Sequence, residues 1–271
     1  MYPILFKIGP LNVYSYGVLL VIAFIVGYYF FWAETRRKKL DRNIAGDITV
    51  IAVFCGIIGS KLLYILENLN LFLTNPFQIA LSPNGFTYFG GLILAFFCSW
   101  IYIRKRKFNF LEAADAVGPS LIIAYGIGRI GCHLSGDGDY GIPTSLPWGT
   151  NYENGIVPPS RLFNGTDYAL IFPNQIFPDN TPLHPTPIYE FISSFIIFLI
   201  LWKFRKANWT NGKLTMLYLI LSSIARFFIE FFRINPKIFL GFSEAQIISS
   251  LILTIGLLGF IYLSKTKVSI L

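Results

Sequence analysis

Seven stretches of the chain are apolar over close to the length that a bilayer crossing needs: roughly 14–33, 47–66, 88–103, 113–134, 187–202, 213–232 and 244–264. A span takes about 20 mostly apolar residues, and the third and fifth stretches are shorter than that. In lipid a lone segment satisfies its backbone groups only as a helix. The pattern therefore predicts an all-α integral membrane fold, a bundle of seven transmembrane helices in one membrane domain over residues 1–271. Residues 135–186, between the fourth and fifth stretches, are too polar to span. Nine of the 15 prolines fall within 143–187. A connection this long is either functional or disordered, and its interleaved Tyr, Trp, Phe and Leu predict an ordered cap rather than a linker.

The basic residues set an orientation. Arg36–Lys39, Arg42, Arg104–Lys107, Lys203, Arg205, Lys206, Lys213, Lys265 and Lys267 fall on one side of the predicted spans; Lys7, Arg161, Arg233 and Lys237 fall on the other. Lys and Arg accumulate in cytoplasmic loops, so the N-terminus and the cap are expected outside and the C-terminus in the cytoplasm. Only Lys7 precedes the first apolar run, which is longer than a signal-peptide core and is expected to remain as an anchor.

Composition agrees with this picture. Hydrophobic residues make up 54% of the chain and charged residues 13%, where a soluble domain carries about a quarter charged. The net charge of +8 does not point to nucleic acid, because the basic residues follow apolar runs instead of forming a basic surface interleaved with aromatics. Cys55, Cys98 and Cys132 each lie inside an apolar run without metal-ligand or redox spacing. No metal site and no cofactor is expected.

Five ionisable residues lie within the predicted spans: Lys61, Arg129, Glu190, Arg226 and Glu230. Such groups are costly in a bilayer and normally mark a site or pathway. With the orientation above, all five fall toward the outer side. Arg226 and Glu230 are spaced i, i+4 and share a helix face, with Arg233 a turn further on; a structural ion pair accounts for them equally well. Arg129 has no acidic neighbour on its own helix, and a surplus of buried cation calls for an anion. Arg presents a fork of donors matched to phosphate oxygens, and a phospholipid headgroup is the anion available at that depth. Gly126, Gly128 and Gly131 remove bulk around Arg129, either for close helix packing or to admit a lipid.

Gly128-Arg-Ile-Gly-Cys-His-Leu-Ser-Gly136, followed by Asp137 and Tyr140-Gly141, resembles the signature of the bacterial prolipoprotein diacylglyceryl transferase family. Tyr16-Gly17, Gly59-Ser-Lys61 with Tyr64, Gly90-Gly91-Leu92, His184-Pro-Thr-Pro-Ile-Tyr-Glu190, Arg226 to Arg233, and Gln246 with Ser249 agree in the same order. The resemblance covers nearly the whole chain. It implies transfer of the diacylglyceryl group of phosphatidylglycerol to the lipobox cysteine thiol of a preprolipoprotein, with release of glycerol phosphate. Partners would be phosphatidylglycerol, preprolipoprotein signal peptides and the bilayer of a bacterial plasma membrane. By the resemblance Arg129 would bind the lipid phosphate, and Arg226, oriented by Glu230, would stabilise the leaving group. Tyr16 and Glu190 would complete the polar lining, with Asp137 in the place of the family's acidic residue. Gly131, Lys61, Gly90 and Gly91 would also belong to the lipid site.

The chain departs from the family at Phe89, where a histidine thought to act as base is usual, and at Ser222, where tyrosine is usual. The Ser135–Gly141 stretch is one residue longer than the common form. The base is thus open among His133, His184 and Tyr88, although a phenol with a reference pKa of about 10 is a poor base. These departures keep a second reading alive, a divergent relative that binds phospholipid or signal peptide without the usual catalysis. A transporter is disfavoured, since the paired halves with broken helices common there are absent.

Overall fold

A computed structural model describes residues 1–41, 43–82, 85 and 87–265. Arg42 and Lys267 of the orientation argument, and the side chain of Tyr88, lie outside the described residues. The chain folds as two compact units, one of Met1–Tyr29 with Val117–Leu271, the other of Phe30–Ala116.

The first unit opens with a hairpin, β1 (Ile4–Ile8) and β2 (Leu11–Tyr14), paired antiparallel and turning at Gly9 with φ +58°. It leads into α1 (Ser15–Arg37), which continues into the second unit. That unit holds α2 (Ile44–Glu67), the short helices α3 (Leu69–Thr74) and α4 (Pro76–Leu81), and α5 (Tyr88–Lys105). Helices α2 and α5 cross at glycines. A Cβ on Gly59 would lie 2.3 Å from the Gly90 carbonyl oxygen, and one on Gly91 would lie 2.4 Å from Ser60 Oγ. Lipid supplies no hydrophobic drive between helices, so such close backbone contact is what holds them together.

Helix α6 (Phe110–Ser135) returns the chain to the first unit. After a long connection with a short α-helix, α7 (Pro159–Phe163), and a 3-10 turn at Pro173–Gln175 come α8 (Thr186–Phe204) and α9 (Lys213–Ile229), the latter closing in a 3-10 turn at Glu230–Phe232. A second hairpin, β3 (Lys237–Phe239) and β4 (Phe242–Ser243), precedes α10 (Glu244–Lys265). The segment between α6 and α8 has its own core, built from buried Tyr140, Tyr152, Phe163, Ala169, Phe177 and Leu183. Phe163 and Phe177 stack at 4.4 Å, and Tyr140 and Tyr152 pack at 4.5 Å.

Among the described residues six helices are long and apolar enough to cross a membrane: α1, α2, α6, α8, α9 with its closing turn, and α10. The third expected span corresponds to α5, 18 residues ending in Arg104 and Lys105, which is not one of the six.

Candidate functional site

The first unit gathers ionisable side chains from three helix ends and one loop. Arg129 stands near the C-terminal end of α6, Glu190 in the second turn of α8, and Arg226 and Glu230 at the end of α9. Arg233 follows directly, and Asp139 reaches in from the loop after α6. Glu190 is the hub: its Oε2 lies 2.8 Å from Arg129 Nε, and its Oε1 lies 2.7 Å from Arg226 Nη1 and 3.4 Å from Arg233 Nη1. Arg226 Nη2 lies 2.9 Å from Glu230 Oε2, the i, i+4 pair expected from the spacing. Asp139 bridges two guanidiniums, pairing with Arg129 and, at 2.5 Å, with Arg233.

The expected surplus of buried cation is therefore not what the described residues show. Arg129, Arg226 and Arg233 face Asp139, Glu190 and Glu230, three charges of each sign. Counting charges along single helices missed carboxylates brought in from other elements. The Glu190 and Glu230 side chains are 2% and 0% exposed, and carboxylates that deep persist only when paired. Glu230 is further fixed by Ser243 Oγ at 2.7 Å and Asn235 Nδ2 at 2.6 Å, both donating to its Oε1.

The loop that delivers Asp139 is pinned from several directions. Gly136 and Gly138 take φ of +60° and +94°, values that favour glycine. The Asp139 carbonyl accepts from Thr186 Oγ1 at 2.6 Å, and Gly141 N donates to the His184 carbonyl at 2.8 Å. A Cβ at Gly141 would sit 2.2 Å from the Phe232 carbonyl oxygen, so only glycine lets the strap lie this close. Burial acting alone would raise the Asp139 carboxyl, but Arg233 and Arg129 outweigh it and hold the group below its ordinary value. Asp137 goes the other way, pushed up by burial and then by the charge of Asp139.

The remaining expected residues fall variously. A Cβ on Gly131 would meet Leu19 Cβ at 3.1 Å and Tyr16 Cα at 3.4 Å, so Gly131 lets α1 approach α6 and brings Tyr16 into electrostatic reach of Arg129, Cys132, Asp137 and Asp139. Gly126 packs against Ser194 of α8, while Gly128 has open space beside it. His184 is buried, its Nδ1 3.0 Å from the Tyr189 hydroxyl and its ring against Phe232; burial lowers its pKa. His133 Nδ1 lies 2.9 Å from the Tyr152 hydroxyl. Lys61, Gly90 and Gly91 belong to the second unit. There Lys61 Nζ donates to the Ser82 carbonyl at 2.8 Å, and the two glycines have the packing role described above. Ser222 bonds back to the Tyr218 carbonyl of its own helix at 2.7 Å.

Asp139 is absent from the residues the sequence singles out, while Arg233, one turn beyond the Arg226–Glu230 pair, proves to be a full member of the network. The signal in the sequence is the Ser135–Gly141 stretch itself, one residue longer than the common form and holding two aspartates, Asp137 and Asp139.

Fold and site together define a multi-pass membrane protein that holds a buried arginine–carboxylate network at the ends of three helices. The family model for prolipoprotein diacylglyceryl transferase matches residues 3–262. The chain belongs to that family. It is 30% identical to the phosphatidylglycerol–prolipoprotein diacylglyceryl transferase of Clostridium tetani over 262 residues, covering 96% of this chain and 97% of that one. It is 33% identical to transferase 2 of Clostridium perfringens over 258 residues, covering 94% and 93%. The Thermotoga maritima transferase is 26% identical over 266 residues, covering 97% and 85%.

Proposed function

We propose that this chain transfers the diacylglyceryl group of phosphatidylglycerol to the lipobox cysteine thiol of preprolipoproteins, the first step of bacterial lipoprotein maturation, within the plasma membrane. The observation that carries the reading is a set of three guanidiniums locked on shared carboxylates, in a chain of this family. In the reaction the cysteine sulfur attacks the glyceryl carbon that bears the phosphoester. The C–S bond forms, the C–O bond breaks, and its electron pair leaves on glycerol phosphate. The protein must hold the phosphate and offset the charge that grows on it, which fixed donors do well in a site that excludes water.

Arg129 takes the lipid phosphate. Arg226, held by Glu190 and Glu230, neutralises the departing oxygen. Tyr16 and the strap of Asp137 to Gly141 close the polar lining, and His184 with Tyr189 supports the strap. Lys61, Gly90 and Gly91 were expected at the lipid site as well; the hydrogen bond to Ser82 and the helix contact already account for them, so the proposed site does without them.

The proposal includes seven spans, with α5 as the third, and an outside N-terminus. The first, third, fifth and seventh spans all end in basic residues: Arg36 and Arg37, Arg104 and Lys105, Lys203, and Lys265. This arrangement puts the arginine network and the cap on the outer side, where a secreted acceptor arrives.

The test is transfer from phosphatidylglycerol vesicles to a lipobox peptide. The unmutated protein should form the thioether and release glycerol phosphate, and Arg129→Ala should abolish both. Unchanged turnover in that variant would overturn the assignment.

A further inference from the structure

The four carboxylates near the guanidiniums are not equivalent. Asp139, Glu190 and Glu230 each lie at ion-pair distance from arginine. Asp137 forms no salt bridge among the described residues. It is half-buried, and its Oδ1 accepts from the Asp139 backbone N–H at 3.3 Å. An oxygen of Asp137, an oxygen of Asp139 and the Cys132 Sγ all lie within 4.8 Å of one another, and the same sulfur is 3.9 Å from Arg129 Nη1. The Cys132 thiol, hydrogen-bonded to Asp137, thus already lies beside both that carboxylate and the guanidinium assigned to the phosphate.

We propose that Asp137 is the base that takes the proton from the acceptor cysteine thiol. This rests on the transferase reading above. The S–H proton passes to a carboxylate oxygen of Asp137, and the sulfur lone pair forms the bond to the glyceryl carbon. The broken C–O bond leaves its electrons on the glycerol phosphate beside Arg129 and Arg226. Asp137 then returns its proton to water, restoring the carboxylate.

Three features of the site favour Asp137 over its neighbours. It stands in no ion pair among the described residues, with Arg129 the smallest influence on it, whereas each of the other three carboxylates lies at ion-pair distance from arginine. Burial and the Asp139 charge raise its proton affinity, which is the direction that makes a carboxylate a better base. Both histidines are already engaged by tyrosine hydroxyls, His133 by Tyr152 and His184 by Tyr189. The groups acting on Asp137 are Tyr16 from α1, Arg129 and Cys132 from α6, Asp139 beside it, and Tyr140 and Tyr152 from the cap. Arg129 alone among them is a permanent cation, and it is shared with Asp139 and Glu190.

The experiment compares wild type, Asp137→Asn and Asp137→Glu with two acceptor peptides, one carrying cysteine and one selenocysteine, whose selenol is largely ionised at neutral pH. With the cysteine peptide, Asp137→Asn should lose about 10²–10⁴-fold in kcat, the usual contribution of a general base, while KM for the lipid stays near wild type. With the selenocysteine peptide most of that deficit should vanish. The wild-type kcat should fall as pH drops and Asp137 is protonated, and Asp137→Asn should lack that limb. Equal deficits on both peptides, or full activity in Asp137→Asn, would overturn the assignment. If Asp137→Asn does not fold, Asp137→Glu decides: a displaced acidic limb supports the base, and an unmoved one refutes it. Failure of the wild type to transfer at all would sink the transferase reading instead, so the two outcomes stay separate.

Discussion

Replacing Glu190 by Gln keeps the shape of the side chain and removes the charge at the centre of the network. The side chain is 2% exposed and holds Arg129 at 2.8 Å and Arg226 at 2.7 Å. A hydrogen bond to a charged group contributes about 1.5–3 kcal/mol, against about 0.5–1.5 for a neutral one, so each close contact weakens by about 1 kcal/mol. The amide also turns an NH₂ donor toward guanidinium donors. Three cations are then left with two carboxylates. Breaking a buried pair costs about 3–5 kcal/mol; Asp139 and Glu230 remain as partial partners, which places the loss near the lower end. About 3 kcal/mol corresponds to roughly 10²-fold in the folding equilibrium. Reversible unfolding in mixed micelles reads this directly, and the transfer assay should show a fall in kcat as Arg226 loses its orientation. A loss below about 0.5 kcal/mol with normal turnover would show that Glu190 is not the keystone described here.

Gly141→Ala should destabilise by about 1–3 kcal/mol, the usual range for overpacking, because its Cβ would fall 2.2 Å from the Phe232 carbonyl oxygen; unfolding measurements and transfer should decline together, and a neutral variant would contradict the strap geometry. Asp139 titrates below its ordinary 3.8 because Arg233 and Arg129 overcome its burial. A folded-state pKa below the unfolded one stabilises at neutral pH and is lost as pH falls through the folded value, so stability should drop in acid for wild type and show less of that drop in Asp139→Asn. Gly90→Ala should separate α2 from α5, since its Cβ would lie 2.3 Å from the Gly59 carbonyl oxygen, whereas Gly128→Ala, with nothing within 4 Å, should leave stability within about 0.5 kcal/mol of wild type; thermal unfolding of the pair tests the contrast.

The parts of the structure readable in the sequence were those set by local periodicity. Apolar runs located the long helices to within a few residues, and i, i+4 spacing gave the Arg226–Glu230 pair. The aromatic content of residues 135–186 pointed to order there, and a buried cluster of Tyr140, Tyr152, Phe163 and Phe177 does pack in that segment. What escaped depends on distant contacts. The choice between Asp137 and Asp139 is made by Thr186 and His184, some 45 residues downstream, gripping the strap. Carboxylate partners for Arg129 arrive from that strap and from α8. The hairpins at Ile4–Tyr14 and Lys237–Ser243 are short and, apart from Ser243, largely exposed, so they lack the alternation that marks a strand.

A charge-balanced network changes how phosphate binding must work. An anion entering a surplus of cation would simply fill a vacancy, but here every guanidinium is already matched. The three carboxylates differ in how firmly they are held: Glu190 and Glu230 are 2% and 0% exposed on helices, while Asp139 is 33% exposed on a loop. Glu190 and Glu230 therefore act as a fixed frame that points the arginine forks, which limits reorganisation when charge develops. Asp139 bridges Arg129 and Arg233 as a phosphate would, so on the proposed reading a headgroup competes with it for those two guanidiniums. On the proposed reading lipid binding exchanges one anion for another at two guanidiniums. On that reading the net charge of the site changes little when lipid binds, which would spare a charged substrate much of the cost of desolvation.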